Sequence, residues 1–200
     1  MRRKQGDKLE GESMSNRENL QPRFRQQANE LLRRLSPSER EALLVKCWMS
    51  HDARWFMAVA REYGMEAANR MNQAAAHEVG KAEAPRVLRA LQLPPAKTVD
   101  DCLLAQEICI GLFGPDLLDY DVIKPNENTC EVHVKRCFAY ENATRAGVAD
   151  QFECGIFARS TGWLEALGME YEMTPPLGKC MKAQGRECIC AFTFKVDPGV

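Results

Sequence analysis

The spacing of apolar residues changes once along this chain, near Pro115, and the change separates two kinds of structure. Before it, apolar side chains recur every three or four residues, which is typical of helices. After it, Leu118, Tyr120 and Val122 alternate with polar residues, as in a half-buried strand. The sequence predicts an α+β fold, with a helical N-terminal half packed on a C-terminal mixed α/β domain that contains a small antiparallel sheet.

Three regions are expected within what we predict to be one structural unit of 200 residues. Residues 1–20 are mostly polar and predict a disordered tail. Residues 21–115 are predicted to be helical, and residues 116–200 to form an α+β cysteine-rich domain. A Ser36–Glu39 capping box and Gly64 set the ends of one long helix, whose predicted apolar face is Leu44, Trp48, His51, Trp55 and Val59.

Further elements follow from the same signals. We expect helices at about 22–35, at 66–79 with a break or kink at Gly80 and then Pro85, and from Thr98 to about Gly114. The predicted hairpin has strands around 118–122 and 130–134, and helices follow at about 138–146 and 149–167. A strand at 169–173 and a final hairpin of 179–183 with 188–196 complete the prediction.

Charge and hydropathy exclude several classes of protein. The net charge of −1 gives no field that attracts nucleic acid, and no apolar run of 18 residues predicts a membrane span. The polar N-terminus lacks the apolar core of a signal peptide, so a cytoplasmic protein is expected. Glycine-rich phosphate loops and serine-hydrolase elbows are absent from the sequence, which argues against nucleotide cofactors and serine hydrolysis.

Four cysteines of the C-terminal third are predicted to meet: Cys137, Cys154, Cys180 and Cys188. Each lies near the end of a predicted element, and four sulfurs could converge as a tetrahedral zinc site or hold an iron–sulfur cluster. The alternative is that they are small buried hydrophobic residues, because free cysteine is among the most buried residue types. Spacing alone leaves both interpretations open, since no Cys-x2-Cys pair is present.

A second cluster of reactive side chains lies on the long helix. Cys47, His51 and Trp55 are four residues apart and share one face, with Trp48 beside them. His51 could act as a general base, with Asp52 orienting or assisting, or it could be a core histidine bonded to a backbone carbonyl. Trp48 and Trp55 could contact a planar ligand. Asn69 and Asn72 could supply amide hydrogen bonds to that ligand, or lie on the helix surface.

The segments His51–Phe56 and Tyr63–Ala68 resemble the family of L-2-amino-thiazoline-4-carboxylic acid hydrolases. Cys137, Gly147, Phe152-x-Cys154 and Gly185-x-x-Cys188, followed by Phe192-Thr193-Phe194, are similar to that family as well. The segment from Cys154 to Cys188 also resembles the vinyl-reductase-type ligand-binding domain, in which a zinc site braces a pocket for a small aromatic molecule. The acidic ligand of that domain would fall on Leu177, and Cys137 is the substitute that this sequence offers.

The resemblances imply a small-molecule pocket beside a cysteine metal site, with zinc as the expected metal and an iron–sulfur cluster as the alternative. Two functions follow. One is a hydrolase that opens a C–N or C–S bond of a small cyclic substrate, using His51 or a metal-bound water. The other is a non-catalytic binder or sensor of an aromatic or heterocyclic ligand. The expected partner is a small-molecule ligand or substrate. We expect no binding to nucleic acid or to membranes. The protein is also expected to form a homodimer.

Overall fold

The computed structural model describes residues 21–112 and 117–195, so the predicted tail of residues 1–20 lies outside the described residues. The helices are α1 Gln21–Leu32, α2 Pro37–Ala90, α3 Val99–Gly111, α4 Phe138–Arg145 and α5 Ile156–Ala166. The strands are β1 Leu118–Asn126, β2 Thr129–Cys137, β3 Tyr171–Thr174 and β4 Cys188–Phe194. The predicted α+β class is confirmed. Within these residues, no helix combines the length and the apolar character that a membrane crossing needs.

Two compact units make up the chain, and they divide between Leu43 and Leu44. In the first unit, the Ser36 backbone N–H donates to Glu39 Oε2 at 2.8 Å, and the Glu39 N–H donates to Ser36 Oγ at 3.3 Å. This is the predicted capping box, and it starts α2. The predicted division at residues 115 and 116 falls inside the second unit, which contains the features described below.

A bend at Gly64 shapes α2 within the second unit. Gly64 has φ 84° and ψ 164°, a conformation that costs glycine little and other residues much. Phe56 and Val59 before the bend share one buried cluster with Ala68 after it. The helix end predicted at Gly64 is therefore confirmed, and it takes the form of a bend between two helical segments of α2. The helix runs through Gly80 and Pro85 to Ala90, so the predicted break there is wrong. The alternative of a kink at these residues stays a prediction.

The predicted apolar face of α2 is wrong in its phase. Of its five members only Val59 is buried, whereas Leu44 is 63% exposed and Trp55 is 45% exposed. Phe56 takes the inward position instead, at 8% exposure. Both sides of this helix carry large apolar residues, so a spacing of three and four identifies the helix without choosing its buried side.

The sheet is antiparallel throughout, with strand order β1-β2-β4-β3. The first hairpin, β1 with β2, is confirmed. The predicted final hairpin is wrong, because β4 pairs with β2 and β3. Residues 182–184 instead form a 3-10 turn, and Lys179 makes a single bridge with Glu153. Residues from the sheet, α3 and α5, together with Met181 before the 3-10 turn, share the main buried core: Val99, Cys102, Cys130, Val134, Phe157, Leu164, Met181, Cys190, Phe192 and Phe194.

The helix predicted at 149–167 is shorter at its start than expected. Residues 149–151 form a 3-10 turn, and α5 begins only at Ile156. Phe152 and Cys154 between them are tied to the opposite segment, because the Cys180 N–H donates to the Phe152 carbonyl at 3.0 Å and the Cys154 N–H donates to the Gly178 carbonyl at 2.9 Å. These long-range bonds keep the segment extended, and they place two of the four cysteines side by side.

Candidate functional site: two adjoining cavities

All four cysteines selected from the sequence line one cavity of about 320 Å³, which we call the thiol cavity. Cys137 is the last residue of β2, and Cys188 is the first residue of β4, the neighbouring strand. Cys154 precedes α5, and Cys180 lies on the segment bonded to it. Two pairings between segments far apart in sequence, β2 with β4 and the Cys154 segment with the Cys180 segment, therefore bring the four thiols to one space.

Burial keeps the thiols of Cys137, Cys154 and Cys188 protonated at neutral pH. Desolvation raises the pKa of Cys154 to about 12 and that of Cys188 to about 11, and it also raises the pKa of Cys137. The charge on one thiolate would raise the pKa of the next, since Cys137 and Cys188 both act on Cys154 in this way. A buried thiol of this kind is a poor nucleophile. It loses its proton readily only to a ligand that supplies positive charge, such as a metal.

Groups that stabilise thiolates are present at the same cavity. The Phe157 N–H at the start of α5 donates to Cys154 Sγ at 3.5 Å. Lys182 counteracts the raised pKa of Cys137 and Cys188 through its charge. Lys179 and Arg186 also line the cavity, and the described lining includes no Asp, Glu or His. In residues 21–112 and 117–195, no three His, Cys, Asp or Glu residues are positioned to hold one metal ion as they stand.

A second cavity of about 220 Å³ lies between α2, α4 and α5, and we call it the helix cavity. Its walls are mostly apolar. The lining includes Trp48, Met49, Asp52, Phe56, Asn72, Ala76, Phe138, Asn142, Phe152, Ile156 and Arg159. An engineered cavity of about 150 Å³ binds benzene, so this space suits a single ring with small substituents.

Asp52 is the carboxylate of the helix cavity. Its side chain stands at the mouth, where it is exposed on one side and walled on the other. Desolvation raises its pKa, while the charges of Arg159 and His51 act in the opposite direction. A carboxylate whose pKa is raised in a cleft is a typical general base or counter-ion for a bound ligand.

Arg159 forms one wall of the helix cavity and is held from two sides. Its Nε donates to Glu83 Oε2 at 2.8 Å, and its NH2 group bonds the other oxygen of the same carboxylate. Its guanidinium carbon lies 4.9 Å from the ring centre of Trp48. Trp163 Nε1 also donates to Glu83, at 3.0 Å. This arrangement fixes the Trp48 ring as a flat cavity wall and neutralises much of the Arg159 charge.

The two asparagines selected from the sequence have different environments. Asn69 is 3% exposed, and its amide bonds the 151–153 segment on both sides: Nδ2 donates to the Gln151 carbonyl at 2.7 Å and Oδ1 accepts from the Glu153 N–H at 3.1 Å. Asn72 lines the helix cavity beside Gly155. Asn69 therefore supports the wall, and Asn72 is the one placed to contact a ligand.

His51 and Trp55 are not among the residues that line either cavity. Both are exposed on α2, one residue out of phase with Asp52 and Phe56. Sequence reasoning did not identify Arg159 or Phe138, and it named Phe152 only within the Phe152-x-Cys154 motif; the fold brings all three to the helix cavity. Their only sequence signal is an apolar or basic residue near a helix start, which is too common to select them.

The two cavities share a wall. Ala139, Phe152 and Ile156 line both of them. The Phe152 ring also packs edge-on against Phe56, with ring centres 5.7 Å apart. The segment of residues 151–156 therefore faces the thiols on one side and the helix cavity on the other. A change in the thiol cavity would act directly on the wall of the helix cavity.

Comparison with protein families places this chain. A family model described as a family of unknown function, DUF6125, matches residues 35–167, which is most of the chain, so the protein belongs to that family. The match covers Cys137 and Cys154 and ends before Cys180. No curated protein and no solved structure gives a significant match.

Proposed function

We propose that this member of the DUF6125 family binds a small planar organic molecule in the helix cavity, next to a metal centre held by the four cysteines. The observation that supports this most is the pairing of a flat Trp48 wall with a few polar groups, among them Asp52 and Asn72, in a mostly apolar cavity. Apolar walls with a few placed polar groups are the usual composition of ligand sites.

Charge narrows the ligand class. Arg159 is paired with Glu83, so Asp52 is the group whose charge is turned toward a ligand. A ligand with N–H donors, such as an amino-substituted heterocycle or an amidine, would bond the Asp52 carboxylate and stack on Trp48. The resemblance to amino-thiazoline-carboxylate hydrolases points to the same class of molecule.

A direct binding assay tests this proposal. Calorimetry with a panel of amino-heterocycles, amidines and phenols, including 2-amino-thiazoline-4-carboxylate, should identify a ligand that binds at a ratio of about one per chain. Trp48→Leu should weaken binding about 3- to 10-fold, because an aromatic contact contributes about 0.5–1.5 kcal/mol. Trp55→Leu is the matched control, since Trp55 is equally exposed but does not line the cavity. Equal losses in both variants would contradict the proposed site.

Hydrolysis of the bound ligand is a second proposal, supported by the raised pKa of Asp52. Asp52 would accept a proton from a water that attacks the ring carbon, and the C–N or C–S bond would break with return of that proton to the leaving atom. A four-cysteine metal has no open position, so the metal would brace the wall and would not activate the water. Turnover lost in Asp52→Asn but kept in His51→Ala would support this role. If the ligand binds but no product forms after long incubation, hydrolysis is excluded and the protein is a binder or sensor.

A further inference from the structure

We infer that the thiol cavity holds an iron–sulfur cluster ligated by Cys137, Cys154, Cys180 and Cys188, in place of the zinc ion that the sequence favoured. The inference rests on the proposed metal centre and names its cofactor. It depends on how the four thiols are arranged around the cavity, on the size of the cavity and on the charges at its rim.

The thiols surround a volume and do not converge on a point. A zinc ion with four cysteines needs every sulfur about 2.3 Å from one centre. Within the described residues the cysteines line a common cavity, yet no three of them stand close enough to share one ion. In a cluster each thiolate binds a different part of a polyatomic group, so the ligands stand apart around it.

The size of the cavity fits the same interpretation. About 320 Å³ is roughly ten times the 30 Å³ that one water occupies in the liquid. A single zinc ion would require the four supporting segments to move inward, whereas the existing space has room for a cluster of irons and sulfides. The supporting segments are held by backbone bonds that resist such movement, including those of Cys154 and Cys180 at 2.9 and 3.0 Å.

The donor set and the charge suit a thiolate-bound cluster. The described lining includes four cysteines and no Asp, Glu or His, and sulfur donors select iron–sulfur clusters or soft ions. A cluster with four thiolates carries net negative charge. Lys179, Lys182 and Arg186 line the cavity and supply positive charge near it, and the Phe157 N–H is directed at Cys154. Hydrogen bonds and charges of this kind also set a cluster's reduction potential.

Anaerobic purification of the full chain tests the inference. Iron, acid-labile sulfide and zinc are measured per chain, together with the visible spectrum before and after dithionite. We expect about two or about four irons with matching sulfide, depending on cluster type, and a broad visible absorption that bleaches on reduction. Cys188→Ser and Cys154→Ser should lose most of the iron. Cys47→Ser, whose thiol is exposed on α2 away from both cavities, should keep it.

The possible outcomes distinguish failure of the iron–sulfur cluster from failure of the proposed metal centre itself. One zinc per chain without sulfide would overturn the cluster and leave the metal centre. No metal after purification and after anaerobic reconstitution with iron and sulfide, or with zinc, would overturn both. Since a serine variant could fail to fold, circular dichroism of Cys190→Ala, a buried core cysteine outside the thiol cavity, serves as a second control. Iron lost equally in Cys190→Ala and Cys188→Ser would count against these four ligands.

Discussion

Glu83 of α2 and Arg159 of α5 form a two-armed ion pair, with one bond of 2.8 Å between Arg159 Nε and Glu83 Oε2. Only 15% of the Arg159 side chain and 23% of the Glu83 side chain are exposed. Two side chains 76 residues apart thus join the helices that enclose the helix cavity, and they position the Trp48 wall.

Removing one partner of this pair should destabilise the protein strongly. Glu83→Gln leaves the Arg159 charge poorly compensated in a mostly buried place, and we expect a loss of about 2–4 kcal/mol of unfolding free energy. Urea denaturation measures it. The matched control is Asp121→Asn, which breaks the exposed pair with Lys135 and should cost less than about 1 kcal/mol. Equal costs for the two substitutions would show that the Glu83–Arg159 pair has no special role.

Two glycines at the crossing of α2 and α5 should not tolerate alanine. A Cβ on Gly80 would lie 2.3 Å from the Arg159 carbonyl oxygen, and one on Gly162 would lie 2.1 Å from the His77 carbonyl oxygen. Because both neighbours are backbone atoms, the helices must move apart, and we expect each substitution to cost about 1–3 kcal/mol.

Gly111→Ala is the control for these substitutions, since a Cβ there meets no atom of the described residues within 4 Å. In a helix this change should be neutral or stabilising by up to about 1 kcal/mol. Thermal denaturation of the three variants orders them, and a Gly162→Ala protein as stable as Gly111→Ala would mean that the helices do not approach so closely.

Asn69 and Asn72 provide a matched pair that separates support from ligand contact. Asn69→Ala removes two hydrogen bonds to the 151–153 segment and leaves buried backbone groups unpaired, so we expect a loss of about 2–4 kcal/mol. Asn72→Ala should change stability by less than about 0.5 kcal/mol and weaken ligand binding. Denaturation and calorimetry on both variants give the comparison, and a reversal of the two effects would contradict the assigned roles.

Asp52→Asn should stabilise the protein as the pH rises. Desolvation raises the pKa of Asp52 above its usual 3.8, so the folded state is favoured while Asp52 is protonated and loses that advantage as the pH rises through the raised value. The asparagine variant carries no such cost above that pH. Since Asp52 is partly solvated, the gain should stay below about 0.5 kcal/mol, or about 1–2 °C in Tm at pH 7.

The same substitution should weaken ligand binding at pH 7 by about 10- to 100-fold, because a hydrogen bond to a charged group is lost. Melting curves of both proteins from pH 3 to pH 7 check the stability effect, and calorimetry at pH 7 checks the affinity. A stability gain that is already complete at pH 3, where both proteins carry a neutral side chain, would contradict the assigned origin.

Local sequence signals determined the parts of this fold that depend on neighbouring residues. The Ser36–Glu39 cap, the bend at Gly64 and the first hairpin all follow from hydrogen bonding or backbone conformation within a few residues, so spacing predicts them. The placement of Cys137 at the end of β2 has the same origin.

Tertiary structure decided which of these residues share a site. Both faces of α2 carry apolar side chains, and only its packing against α4 and α5 turns Asp52 and Trp48 to the helix cavity and leaves His51 and Trp55 outside. The pairing of β4 with β2 and β3, and not with residues 179–183, likewise brings Cys188 beside Cys137. Such contacts join segments tens of residues apart, and their free energy comes from burial and complementary packing that no local spacing encodes.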